Sequence, residues 1–186
     1  MVENFKINSS EIDNIKKISK QDRDYRIKNL NLFNQKGFPN KKDEDWKFSD
    51  FRKIKKNNFE NLDIKKVNSK EQKVNFIKDF DHNYLINVNG DFISSNFKFE
   101  ENEKIKIKNF CNESFIGESK NNPLINLNHA LSENGYDLHV EDNYKFKKVL
   151  VVYNLYTKEL NENILNSRNR INIGKNSELH IIDFVV

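Results

Sequence analysis

In the N-terminal part of the chain, apolar residues recur at the three-and-four spacing of amphipathic helices. Ile12 and Ile15 follow Ser10, and Asp13 stands three places after that serine in the manner of a capping box, so a helix begins here. Tyr25, Ile27, Leu30 and Phe33 carry a second helical pattern, which Gly37 and Pro39 end near Lys36. Asp43, Glu44 and Asp45 then precede Trp46, Phe48 and Phe51, and acids ahead of an apolar run suit the positive N-terminus of a short helix. From Asn57 to about Asp81 no period stands out, which predicts a weak helix or an irregular connection.

The period changes after Asn83. Residues 84–94 form a β-prone run broken by Asn89-Gly90, the dipeptide that most easily takes the positive φ angles of a tight hairpin turn. Ile105 and Ile107 alternate with lysines, giving a strand with one wet face. Asn122-Pro123 opens a short helix with Leu124, Leu127 and Leu131 on one side, closed by Gly135. Strands are then expected around Leu138 and Val140, over 149–153, around Ile171 and Ile173, and around Leu179 and Ile181, with a turn at Gly174-Lys175-Asn176-Ser177.

This pattern divides the chain into a helical region with a linker over 1–82 and a β-rich region over 83–186. Short strands at this spacing suit either an antiparallel sandwich or the faces of a β-helix, and periodicity does not choose between them. His180 to Val186 runs apolar with no charge cluster, turn or helix to cover the next edge. The expectation is a chain cut short, with further strands or a partner supplying them.

Composition adds a few bounds. Of 186 residues, 36% are hydrophobic, 32% charged and 12% aromatic, a polar but folded balance. The charge of +4, from 32 basic and 28 acidic side chains, is spread without a block of one sign, so nucleic acid is an unlikely partner. A single cysteine, Cys111, excludes an internal disulfide and points to a reducing compartment. No apolar stretch approaches the ~20 residues of a bilayer span, so no membrane association is expected, and residues 1–6 lack the order of a signal peptide; a cytoplasmic protein is expected.

Candidate chemistry is sparse. His82, His129, His139 and His180 are scattered without the spacing of a structural zinc site, and alternation turns His139 and His180 towards solvent. Cys111 reads as a buried, inert thiol, and alone it could not hold a cluster. No Gly-rich phosphate loop, nucleophile elbow or His-Glu-x-x-His pair is present, and Asp43, Glu44 and Asp45 read as helix caps. No catalytic, cofactor-binding or metal-binding residue follows, and the chain reads as a non-enzyme. Lysines interleave with aromatics at Trp46-Lys47-Phe48 and over 144–148, the pattern that holds single-stranded nucleic acid, but such runs arise by chance in a chain this rich in Lys and Phe.

The stretch Gly37-Phe38-Pro39-Asn40-Lys41-Lys42-Asp43-Glu44-Asp45-Trp46-Lys47-Phe48-Ser49-Asp50-Phe51 resembles a pattern of the SufB/SufD family, on its SufD side. That pattern is Gly-x-Pro, a few basic and acidic residues, then Glu-x-Trp-Lys-Tyr/Phe-Thr/Ser and an apolar residue; Glu44, Trp46, Lys47 and Phe48 carry the match beside Gly37 and Pro39. Residues 85–94 are similar to the family's strand, Asn/Asp-Gly turn and strand. Leu127-Asn128-His129-Ala130 with Gly135 resembles its Leu-Asn-x-Ala…Gly segment, and residues 167–179, with Arg168 and Gly174, resemble its basic strand, Gly-x-x-Ser/Ala turn and strand.

The resemblance implies an α+β fold, with a helical N-terminal region followed by the first rungs of a right-handed parallel β-helix. It implies a scaffold subunit of the SUF iron–sulfur cluster assembly complex that pairs with a SufB-like paralogue and works with a SufC-like ATPase. The cluster belongs to the assembled complex and not to this segment; the family's ATPase-docking and cluster-building regions have no counterpart here. The alternative is a stand-alone β-rich binding module for carbohydrate or nucleic acid. A homodimer through the uncovered final strand stays open.

Overall fold

The computed structural model describes residues 6–15, 18–41, 43–48, 73–110, 122–160 and 165–186. They fall into two compact units that interleave along the chain. The first draws on Met1–Lys65, Asn112–Glu133 and Glu162–Asn166, the second on Lys66–Cys111, Asn134–Asn161 and Ser167–Val186.

The first unit is helical. A single turn, α1 (Ser10–Asp13), precedes α2 (Lys20–Lys36), and α3 (Pro123–Leu131) packs against α2. Ser19 caps α2 by accepting the Asp22 N–H at 3.1 Å, and Gly37, at φ 69, ends it with an N–H donated to Phe33 at 2.6 Å. The apolar face predicted for α2 buries Tyr25, Leu30 and Phe33, the last two joining Ile7 and Ile12 and, from α3, Leu127, Ala130 and Leu131. The capping box expected at Ser10 does not form; the Asn8 side chain accepts the Ser10 N–H at 3.0 Å instead. Asp43, Glu44 and Asp45 do introduce a helical turn, but only a 3-10 turn over Glu44–Trp46.

Gly135 does not close α3, which ends at Leu131 with Ser132 as its cap. The buried carbonyls at its end find a partner from far along the chain: Arg26 Nη1 donates to the Ala130 oxygen at 3.1 Å and the Ser132 oxygen at 2.8 Å. Arg26 is itself paired with buried Asp22 one turn earlier in α2, at 3.2 Å.

Among its described residues the second unit holds seven strands: β1 (Asn83–Val88), β2 (Asp91–Asn96), β3 (Ile105–Asn109), β4 (Tyr136–Val140), β5 (Leu150–Leu155), β6 (Arg170–Ile173) and β7 (Ile181–Val185). They form a four-stranded sheet in the order β2-β1-β5-β7 and a three-stranded sheet in the order β3-β4-β6. Asn89 and Gly90, both at positive φ, fold β2 back onto β1 as the sequence predicts. The β1–β5, β5–β7 and β4–β6 pairs are parallel, and β3–β4 is antiparallel.

Leu85, Leu150 and Val152 of the larger sheet meet Ile105, Tyr136, Leu138 and Val140 of the smaller one in the main core. The opposite face of β1 and β5 buries Ile86, Val88, Val151 and Tyr153 under Val74, Ile77 and Ile93. Burial on both faces explains why residues 149–153 read as a continuous apolar run and not as an alternating one.

This architecture corrects the fold expected from the resemblance. The fold is α+β, as expected, but the β-rich unit consists of two open, mixed sheets, not the first rungs of a right-handed parallel β-helix. The physical reason lies in two local pairings. The tight turn at Asn89-Gly90 reverses the chain, and β3 runs against β4, so each sheet carries an antiparallel edge beside its parallel pairs.

Candidate functional site

Residues singled out in the sequence lie in both units. In the first, the positive φ of Gly37 turns the chain out of α2 into a segment lining a cleft of about 540 Å³, bounded by Gly37 to Asn40, Asp43 to Trp46, and Asn122-Pro123 at the start of α3. Pro39 is buried, Trp46 half-buried, and Glu44 and Lys47 exposed. Phe48 stands 93% exposed, with Lys47 Nζ 5.1 Å from its ring centre. Lys42, Ser49, Asp50 and Phe51 lie outside the described residues, as does Cys111. The start of α3 is satisfied from within: Asn122 Oδ1 accepts the Leu124 and Ile125 N–H groups at 3.0 and 3.4 Å. On α3, Ala130 is fully buried, and the Asn128 carbonyl accepts the Ser132 N–H at 2.9 Å.

In the second unit the matched glycines are spacers. A Cβ on Gly135, at φ 132, would fall 1.9 Å from the Arg168 carbonyl oxygen, and one on Gly174 would fall 2.5 Å from the Asp142 nitrogen. Both sit where segments 33 residues apart in sequence run side by side, in the register that also pairs Asp137 with Arg170. Arg168 donates its N–H to the Asn134 oxygen at 2.8 Å and lays its guanidinium 5.6 Å from the Phe110 ring centre.

A further exposed feature among the described residues is β7. It is the last strand of the larger sheet, and Ile181, Ile182, Phe184 and Val185 are exposed along it. The His180 oxygen and the Val186 N–H engage β5, so by the alternation of a strand the N–H and C=O groups of Ile181, Asp183 and Val185 face the open side. A chain of side-chain hydrogen bonds crosses the sheet to the same place. Asn87 Nδ2 donates to Asn154 Oδ1 at 2.8 Å, and Asn154 Nδ2 donates to Asp183 Oδ1 at 2.6 Å, ending on a carboxylate at the edge. Phe184 packs edge-on against Tyr153 with ring centres 5.6 Å apart. Burial, with the Asp183 charge adding to it, pushes the Tyr136 phenol up to about 12.

Several surface charges of this unit are paired. Lys145 pairs with Glu178 at 3.3 Å, Lys147 with Glu101 at 3.2 Å and Lys106 with Glu141 at 2.6 Å, while Tyr144 is buried and Phe146 packs against it. The lysine–aromatic run over 144–148 is therefore a core edge trimmed with ion pairs, not a stacking platform. Burial pushes the Glu100 carboxyl up, but the Lys147 and Lys148 N–H groups, the Asn83 amide and the Tyr144 hydroxyl outweigh it and hold the group below the usual carboxylate range. A hydrogen bond from Arg170 does the same for Asp137, against its burial.

The histidines show contacts that no local pattern announces. His129 Nδ1 lies 2.6 Å from the Tyr25 hydroxyl, and His82 Nε2 lies 2.9 Å from that of Tyr153. Each partner is far away in sequence, so only the fold could reveal it. His180 is exposed beside Glu178, as alternation predicts, whereas His139 is half-buried near Glu141. Among the described residues no group of three or more His, Cys, Asp or Glu could hold a metal ion, and no helix is long and apolar enough to cross a membrane.

Compared with family models and with curated proteins, the chain matches none.

Proposed function

We propose that this chain is a non-enzymatic scaffold subunit of a SUF-type iron–sulfur cluster assembly complex, working in the cytoplasm with a SufB-like paralogue and a SufC-like ATPase. The observation that carries the reading is the open β7 edge, where exposed apolar side chains and outward backbone groups stand together on a sheet fixed by parallel pairing to β5. Strand addition to an open edge is a common mode of protein recognition. The four motif segments supply the identity of the partners. Phe48, exposed beside Lys47, is the second point of contact in this reading. The cluster is cargo of the assembled complex.

The test is co-expression of the chain with the SufB-like and SufC-like proteins of the same organism, followed by affinity capture on this chain and native mass spectrometry. The scaffold reading expects the SufB-like protein in a defined stoichiometry, with the ATPase recruited through it. Capture of neither would sink it.

A further inference from the structure

The chain contains two Asn-Gly dipeptides, Asn89-Gly90 and Asn134-Gly135. Asparagine before glycine is the pair most open to attack on its own side-chain amide, because no side chain on the glycine shields the attacking backbone nitrogen. The attack needs the Asn side chain to swing until its Cγ meets that nitrogen. What holds the side chain therefore decides whether the fold protects it.

The fold treats the two asparagines differently. Asn89 is 2% exposed and sits on left-handed backbone, at φ 48, in the turn between β1 and β2. Thr157 holds both ends of its amide: Asn89 Nδ2 donates to Thr157 Oγ1 at 2.9 Å, and Asn89 Oδ1 accepts the Thr157 N–H at 2.9 Å. The Asn89 N–H donates to the Leu155 oxygen, also at 2.9 Å. Reaction at Asn89 has to break both side-chain bonds and leave a buried amide unsatisfied.

Asn134 is half-buried just ahead of β4, and among the described residues its side chain makes no hydrogen bond. Its main chain, by contrast, is anchored. The Asn134 oxygen accepts the Arg168 N–H at 2.8 Å, and Gly135 lies against the Arg168 carbonyl. That contact also forbids any larger residue at 135 that would shield the nitrogen.

We infer that Asn134 is a site of spontaneous covalent modification in the folded protein, and that Thr157 guards Asn89 against the same reaction. The Gly135 nitrogen gives its proton to solvent base and bonds to Asn134 Cγ; the Cγ–Nδ2 bond breaks, ammonia leaves and a succinimide remains. Water then opens the ring at either carbonyl, yielding aspartate or isoaspartate with no change of oxidation state. Isoaspartate adds a methylene to the main chain beside Gly135, where the Arg168 carbonyl leaves no room for a Cβ, so the modified chain is the less stable one. None of this depends on the scaffold reading.

The test incubates the full chain in mildly alkaline buffer, folded or in urea, and follows both dipeptides by peptide-map mass spectrometry with enzymatic methylation of isoaspartyl carboxyls. In the folded protein Asn134 should convert at least about ten-fold faster than Asn89, the ratio expected when two hydrogen bonds must be released. In urea, where neither side chain is held, the rates should converge. Thr157→Val removes one of the two holds and should speed Asn89 alone. The inference is overturned if Asn89 converts as fast as Asn134 in the folded protein, if folding slows Asn134 as much as Asn89, or if Thr157→Val leaves Asn89 unchanged.

Discussion

Gly135 lies so close to Arg168 that a Cβ on it would fall 1.9 Å from the Arg168 carbonyl oxygen. No side chain fits that space, and the contact is to backbone, which cannot swing away. Gly135→Ala should therefore destabilise the protein by roughly 1–3 kcal/mol from overpacking, with the strain of its positive φ added. Gly37→Ala meets nothing within 4 Å and should cost only the φ strain, about 1 kcal/mol. Urea unfolding midpoints of the two variants compare them directly; a larger loss at Gly37 would contradict the spacer role of Gly135.

Arg26 ties α2 to α3 by holding Asp22 and the carbonyls of Ala130 and Ser132 at once. Arg26→Ala leaves a buried carboxylate and helix-end carbonyls without that partner, and a loss of about 3–5 kcal/mol is expected. Arg26→Lys should recover little, because an ammonium cannot reproduce the fork. Thermal unfolding followed by circular dichroism checks both, and a fully stable Arg26→Lys would rule out this geometry.

The Asp137 carboxyl is depressed in the folded state by its hydrogen bond from Arg170. Its contribution to stability is present above the unfolded value near 3.9 and is lost as pH falls through the lower folded value. Asp137→Asn should thus lower the unfolding free energy near neutrality and approach wild type in acid. The check is unfolding free energy against pH for both proteins; a difference constant down to strong acid would show that the charge is not its source.

Phe48 is solvent-exposed, so Phe48→Ala should change stability by no more than about 0.5 kcal/mol. In the scaffold reading it nevertheless weakens partner capture. Paired measurements of thermal midpoint and capture separate contact from packing, and a large drop in the midpoint would assign Phe48 to the core.

Sequence reading succeeded where a signal is local. The Gly37 end of α2, the Asn122-Pro123 start of α3 and the Asn89-Gly90 hairpin each depend on a few adjacent residues, and the structure has all three. It failed where the answer lies across the fold. Alternation of Leu138 with Val140 is the same in a parallel or an antiparallel ladder, so it could not show that β4 pairs with β3 one way and β6 the other. Gly135 read as a helix stop because a glycine after a helix usually is one, whereas its task is set by Arg168. The apolar run of β7 was legible, but the hydrogen bond that Asn154 donates across the sheet to Asp183 was not.

The most direct test of the scaffold account is capture of the SufB-like protein by wild type and by Val185→Pro under identical conditions. Val185 turns its N–H away from β5, so proline there removes a docking donor without breaking a bond to β5. The account predicts capture by wild type, loss with Val185→Pro, and an unchanged thermal midpoint. Equal capture by both proteins, or by neither, would contradict it.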